Sequence, residues 1–120
     1  MKIIRILVPV AAMLGACASY PAPTERMARS QSAVRAAEEV GGQSDPHAAL
    51  YLQLAQEELA QAKQLMNDGD NRRADYLLLR SDADAELAIA LTRSAAVRIE
   101  ADRAIAEVLA IRAQQKGQNP

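Results

Sequence analysis

AALYLQLAQEELAQAKQLMNDGDNRRADYLLLRSDADAELA, residues 48–88, reads as two helices folded back on each other about one glycine. On the first arm Ala48, Leu52, Ala55, Leu59, Ala62 and Met66 recur at intervals of four and three, a heptad seam in which small and large residues alternate. Gln53, Gln56, Glu57, Gln61 and Gln64 fill the opposite side. Asn67-Asp68-Gly69-Asp70 ends this arm, because Gly69 tolerates the left-handed conformation of a helix stop and Asp70 can cap the next helix. The second arm answers with Ala74, Leu77, Leu78, Ser81, Ala85 and Ala88. Antiparallel register about Gly69 sets Leu59 near Leu79 and Arg80, and Leu52 near Leu87, so that leucines meet small residues at short interaxial distance.

Beyond Ala88 nothing breaks the helical period. Neither glycine nor proline occurs between Asn71 and Gly117, and the seam continues through Leu91, Ala95, Ile99, Ala106 and Leu109. The stretch predicts one helix of about 65 Å, at about 1.5 Å of rise per residue. Before the hairpin, Gly41-Gly42-Gln43-Ser44-Asp45-Pro46 combines a stop with a restart, Asp45 being the cap and Pro46 the first helical residue. A further helix is expected from an N-cap at Thr24 to Val40, with Met27, Ser30, Val34, Ala37 and Val40 as its apolar or small stripe. The fold class is therefore all-α, an antiparallel helical hairpin with a long C-terminal helix. Short connections favour a three-helix up-down-up bundle from which the last third of the long helix projects. A broken rod, with residues 24–68 lying beside residues 71–115, has arms of matching length and is the alternative. The helical domain is placed at residues 24–116 and a disordered tail at residues 117–120.

The amino terminus carries a different signal. Lys2 and Arg5 precede a short apolar run, Ile6 to Leu14, and the small residues Gly15 and Ala16 lead into Cys17, the single cysteine. This is the layout of an export signal, and the run is too short to span a bilayer. Leu14-Gly15-Ala16-Cys17 resembles the lipobox of bacterial lipoproteins, which implies cleavage between Ala16 and Cys17, leaving 1–16 as signal peptide, and acylation of the Cys17 thiol. Triacylation, as that resemblance implies, satisfies the two-chain requirement for stable anchoring. In the lipoproteins of enteric bacteria an aspartate after the cysteine often marks the inner membrane; Ala18 therefore implies the outer membrane. A plain secretory signal cut after Ala18 is the competing reading. Residues 17–23, with Pro21 and Pro23, are expected to be an extended lipidated tether lifting the domain from the membrane.

Composition narrows the function classes. Taking 16 residues from 120 leaves 104, enough for one small domain. Without Lys2 and Arg5, 12 basic residues face 15 acidic ones, and no basic patch stands out, so neither nucleic acid nor an anionic headgroup surface is an expected partner. The chain has no Phe or Trp and three Tyr, which argues against an aromatic-lined pocket for a small-molecule substrate or cofactor.

The lipobox, the short alanine-rich helix, the Asp45-Pro46 restart, Gly69-Asp70 ahead of Ala74 and the run Asp82-Ala83-Asp84-Ala85-Glu86-Leu87-Ala88 together resemble bacterial envelope lipoproteins carrying the domain of unknown function 4398. That resemblance implies a helical periplasmic domain and no assigned activity. Tetratricopeptide repeats are set aside, because no second copy occurs at a 34-residue period.

Candidate chemistry is sparse. His47, the sole histidine, has only Asp45 nearby as a second ligand, whereas a metal site needs three or four converging groups. Asp82, Asp84 and Glu86 stand two apart on a helix, point in different directions and read as a solvated face. Ser30, Ser32, Ser81 and Ser94 lack a histidine or lysine partner in any nucleophile motif. No catalytic, metal or cofactor set is expected. The informative feature is a second apolar stripe, Val97, Ala101, Ala104, Val108 and Ile111, which exceeds what one partner helix covers. Cover by the first helix, self-association, and docking of another envelope protein each explain it. The expectation is a non-enzymatic, lipid-anchored scaffold, spacer or adaptor facing the periplasm. A structural tie to peptidoglycan is the alternative, although Gly117-Gln118-Asn119-Pro120 lacks the terminal lysine of the major murein lipoprotein.

Overall fold

The computed structural model describes residues 20–118, and they form three helices: α1 (Thr24–Glu39), α2 (Pro46–Asn67) and α3 (Asn71–Gln118). The signal segment and Cys17 lie outside the described residues, as do Asn119 and Pro120.

Each chain reversal uses the same device. At the end of α1 the Gly42 N–H bonds to the Ala37 carbonyl at 2.9 Å and the Gly41 N–H to the Glu38 carbonyl at 3.0 Å. At the end of α2 the Asp70 N–H bonds to the Leu65 carbonyl at 2.8 Å and the Gly69 N–H to the Met66 carbonyl at 3.2 Å. This paired closure needs a left-handed residue, supplied by Gly41 at φ +81° and Gly69 at φ +80°. Gly42 serves a different need. A Cβ there would stand 2.7 Å from the Ala37 carbonyl oxygen and 3.2 Å from a Leu52 methyl, so its lack of a side chain lets the turn close onto α2.

Helix starts follow the expectation at α2 and depart from it at α1. The Asp45 carboxylate accepts from the His47 and Ala48 N–H groups, and Pro46 occupies the first turn. The Ala48 bond leads in holding the Asp45 carboxyl below its ordinary range. Thr24 is not the cap of α1: the cap position is Pro23, no side chain bonds the first turn, and Thr24 is already helical. Its N–H is taken instead by the Ala22 carbonyl at 2.9 Å. At the other end α3 continues through Gly117 to Gln118, so the helix overruns the expected boundary at Lys116.

α3 is the shared element of an up-down-up bundle. Arg80 meets Glu58, and Ser81 meets the Ala55 carbonyl, in the antiparallel register expected about Gly69. Arg26 meets Asp75 and Ser30 meets Ser81, so α1 runs parallel to the first half of α3. The broken rod is thereby excluded, since it would carry α1 to the far end of α3. The core is thin: Leu52 and Leu78 are the largest fully buried side chains, and Ala37, Ala55, Ala62, Ala74, Ala85 and Ala88 supply most of the rest. Complete burial of a leucine contributes about 1.5–3 kcal/mol, so Leu52 and Leu78, with Val34 and Leu59 nearly as buried, carry much of the apolar burial in a bundle whose alanines permit close approach.

Candidate functional site

Three features of the molecule go beyond an alanine-rich core. The first lies where the chain enters the bundle. Pro21 and Pro23 keep the lead-in segment extended, and Tyr20 lies back against the first turn of α3. The Tyr20 carbonyl accepts from the Asn71 side-chain amide at 2.9 Å, and its phenol donates to Asp75 Oδ2 at 2.8 Å. The Arg72 guanidinium stands 5.8 Å from the ring centroid, within cation–π range. Arg26 of α1 takes the other Asp75 oxygen. The Tyr20 hydrogen bond, followed by Arg26, holds the Asp75 carboxyl below its ordinary range, and the same bond to Asp75 raises the Tyr20 phenol. Tyr20, Pro23, Arg26, Arg29 and Asp75 border a shallow groove here. A residue expected to sit just ahead of the domain in a free tether is therefore fixed to it, and the sequence reading missed this. Its signal was the lone aromatic beside two prolines.

The second feature is a polar crossing through the middle of the bundle. Ser30 Oγ donates to Ser81 Oγ at 2.8 Å, and Ser81 Oγ donates to the Ala55 carbonyl at 2.7 Å, linking α1, α3 and α2 in one buried chain. Beside it Arg29 reaches Asp82 at 2.9 Å and Glu86 at 3.6 Å. Asp82 is 7 % exposed, which corrects the solvated-face reading of Asp82, Asp84 and Glu86: only Glu86 of the three is exposed. On the other side Glu58, 5 % exposed, meets Arg80 at 2.6 Å through Oε1, and its Oε2 has no hydrogen-bond partner. Burial pushes the Glu58 carboxyl up, against the pull of Arg80 and with the help of neighbouring Asp84. Glu58 was legible in principle, because Ala55, Glu58 and Ala62 share the 3,4 spacing of the buried face.

The two serine hydroxyls of this crossing are taken up within the bundle. Ser30 and Ser81 are bonded to each other and to backbone, with no base among their partners. His47 is exposed at the start of α2, with an Asp45 oxygen 3.9 Å from its ring. Among the described residues no three His, Cys, Asp or Glu side chains converge in a way that could hold a metal ion, and no helix is long and apolar enough to cross a membrane.

The third feature is the distal half of α3. From Ala96 to Gly117 every residue is exposed. Val97, Ala101, Ala104, Val108 and Ile111 all lie here, with Val97 at 66 %, Val108 at 47 % and Ile111 at 48 % exposure. Cover by α1 is ruled out, because α1 ends beside the proximal half. Ile99, Ile105 and Leu109 are bare as well. This apolar surface is gathered on one element, unlike the single exposed leucines that occur on any protein.

No curated protein and no solved structure matches the chain. Residues 25–104, two thirds of the chain, spanning the whole bundle and the start of the bare helix, match the family described as Domain of unknown function (DUF4398), and the chain belongs to that family.

Proposed function

We propose that the chain is a non-enzymatic outer-membrane lipoprotein, anchored through an acylated Cys17, whose helical domain faces the periplasm and works as a scaffold, spacer or partner-binding adaptor. The observation that carries this reading is the bare distal half of α3, a long apolar-striped helix with no partner among the described residues. Its position relative to the anchor supports the same view. Tyr20 follows Cys17 by three residues, roughly 10 Å of fully extended chain, and is clasped to the start of α3. From there α3 extends about 72 Å, so its far end can lie that far from the chain's own anchor.

Palmitate labelling with membrane fractionation tests the anchor. The full chain is expected to take label and sediment with outer membranes, whereas Cys17→Ser gives an unlabelled precursor; label on that variant, or a wild-type chain found only in the soluble fraction, rejects the reading. The reach of α3 also favours a structural tie to peptidoglycan as a second reading. Recovery of the chain in boiled, detergent-washed sacculi supports that version, and its absence there removes the covalent form.

A further inference from the structure

The bare stripe does not begin at Val97. Ala83, Leu87, Ala90 and Ser94 continue it towards the hairpin at the same alternation of threes and fours, and all four are exposed, while Ala85 and Ala88 on the opposite side of the helix are buried in the bundle. One seam therefore runs along the outer side of α3 from Ala83 to Ile111, passing unbroken from the bundle to the projecting half. Leu87 is 38 % exposed even though it lies within the bundle's span.

We propose that this seam pairs with the seam of a second copy of the chain, antiparallel and centred near Ile99. Layer volumes and the borders of the seam both select this arrangement. Antiparallel about that centre, Ala90 meets the partner's Val108 and Val97 meets the partner's Ala101, so in these layers large residues fall on small ones; Ser94 with the partner's Ala104 forms a small layer between them, and Leu87 and the partner's Ile111 close the ends. Along one border lie Asp84, Leu91, Arg98, Ile105 and Arg112, and along the other Glu86, Arg93, Glu100, Glu107 and Gln114. The antiparallel pair sets Asp84 against the partner's Arg112, Leu91 against the partner's Ile105 and Arg93 against the partner's Glu107, each contact occurring twice by symmetry. Like charges meet only at the centre, Arg98 with the partner's Arg98 and Glu100 with the partner's Glu100. A parallel pair would stack alanine on alanine at residues 90, 101 and 104. It would also set Leu91 against Glu86, Ile105 against Glu100 and Arg98 against Arg93, leaving Glu107 with Arg112 as its attractive contact.

Pairing in this sense deepens the scaffold reading without depending on the lipid. The two lead-in segments stand at opposite ends of the shared rod, about 84 Å apart along α3 at about 1.5 Å per residue. Two anchored copies would thus pair lying along a surface, and confinement to that surface raises their effective concentration for a seam of modest strength.

Disulfide trapping in cells, with two differently tagged full-length chains and the unsubstituted chain as control for Cys17, tests the proposal. Ala90→Cys and Val108→Cys are both exposed substitutions that leave the bundle intact. The expected result is a mixed disulfide when the two variants are expressed together, and none from either variant alone. Homodisulfides from each variant alone would mean parallel pairing, an adduct with a different protein would mean a foreign partner, and no adduct would mean a free helix; each overturns the proposal. As a second measurement, Glu107→Arg should weaken self-association of the detergent-solubilised full chain about tenfold in sedimentation, and adding Arg93→Glu should restore it. Failure of the lipid label leaves this result unaffected, so the two readings fail separately.

Discussion

The Tyr20 phenol donates a 2.8 Å hydrogen bond to the carboxylate of Asp75, 55 residues further along the chain, and Arg26 binds the same carboxylate from α1. The clasp joins the lead-in segment, the first helix and the last. Its pH limits come from the two shifts. Asp75 is lowered, so its contribution is present above the ordinary aspartate range and is lost as pH falls through the depressed value. Tyr20 is raised, so its contribution is present below the ordinary phenol value and is lost as pH rises through the raised one. Tyr20→Phe should remove the alkaline limit, keep the acid limit through Arg26, and speed exchange of the Thr24 and Met27 amides, which bond the Ala22 and Pro23 carbonyls, at neutral pH. Unchanged exchange in that variant would show that the phenol does not hold the segment.

Ser81 occupies the middle of a buried relay, accepting from Ser30 and donating to the Ala55 carbonyl. Ser81→Ala strands the Ser30 hydroxyl without a partner between helices, and a buried donor left unpaired costs about 1–3 kcal/mol. Ser30→Ala is milder, about 0.5–1.5 kcal/mol, because Ser81 keeps its backbone acceptor. The double variant should be no less stable than Ser81→Ala alone, since the stranded group is then gone. Urea midpoints of the four proteins measure this, and strict additivity would show that the two hydroxyls act independently.

Glu58 gives the fold a pH dependence. Burial raises its carboxyl, so the neutral form is favoured in the folded chain, and that contribution is complete below the ordinary glutamate value and lost as pH rises through the raised one. Over that interval the unfolded chain is the less protonated of the two, and stability falls with rising pH. Glu58→Gln keeps an oxygen for Arg80, removes the charge beside Asp84 and should flatten this part of the profile with no loss of stability at pH 7. A variant that loses stability at pH 7 would mean that the 2.6 Å pair with Arg80 outweighs desolvation.

The elements that spacing specifies were legible in the sequence. The seam from Ala48 to Ala62, the stops at Gly41 and Gly69 and the cap at Asp45 are local patterns, and each appears where residue spacing and turn chemistry place it. The features that were not legible depend on contacts between segments far apart in the chain. Asp82 looked solvated because its own helix offers no counter-charge, and only the parallel placement of α1 brings Arg29 within 2.9 Å. Tyr20 looked like tether because its partners, Asn71 and Asp75, are about fifty residues away. The direction of α1 was only partly specified: a six-residue connection permits both a bend and a reversal, and the rule that short connections join antiparallel neighbours favoured the reversal that the structure has. The outer seam of α3 was read only in part for a similar reason: Ala83, Leu87 and Ala90 become noticeable once the opposite side of the helix is known to be buried.

In the distal half of α3, where no side of the helix is buried, stability and association separate. From Ala96 to Gly117 every residue is exposed, so Val108→Glu with Ile111→Glu removes no contact with another helix of the bundle. Exposed substitutions away from caps and special backbone change stability within about 0.5 kcal/mol, and the helix keeps its propensity because glutamate is a good helix former. At concentrations where the parent chain is monomeric, thermal and urea unfolding of the bundle should therefore be unchanged. Self-association is different, because both substitutions place a carboxylate in the seam, Ile111 against the partner's Leu87 and Val108 against the partner's Ala90. Sedimentation of the double variant should show the monomer at concentrations where the parent chain pairs. A variant that lost bundle stability without changing its sedimentation would assign these residues to the fold of a single chain.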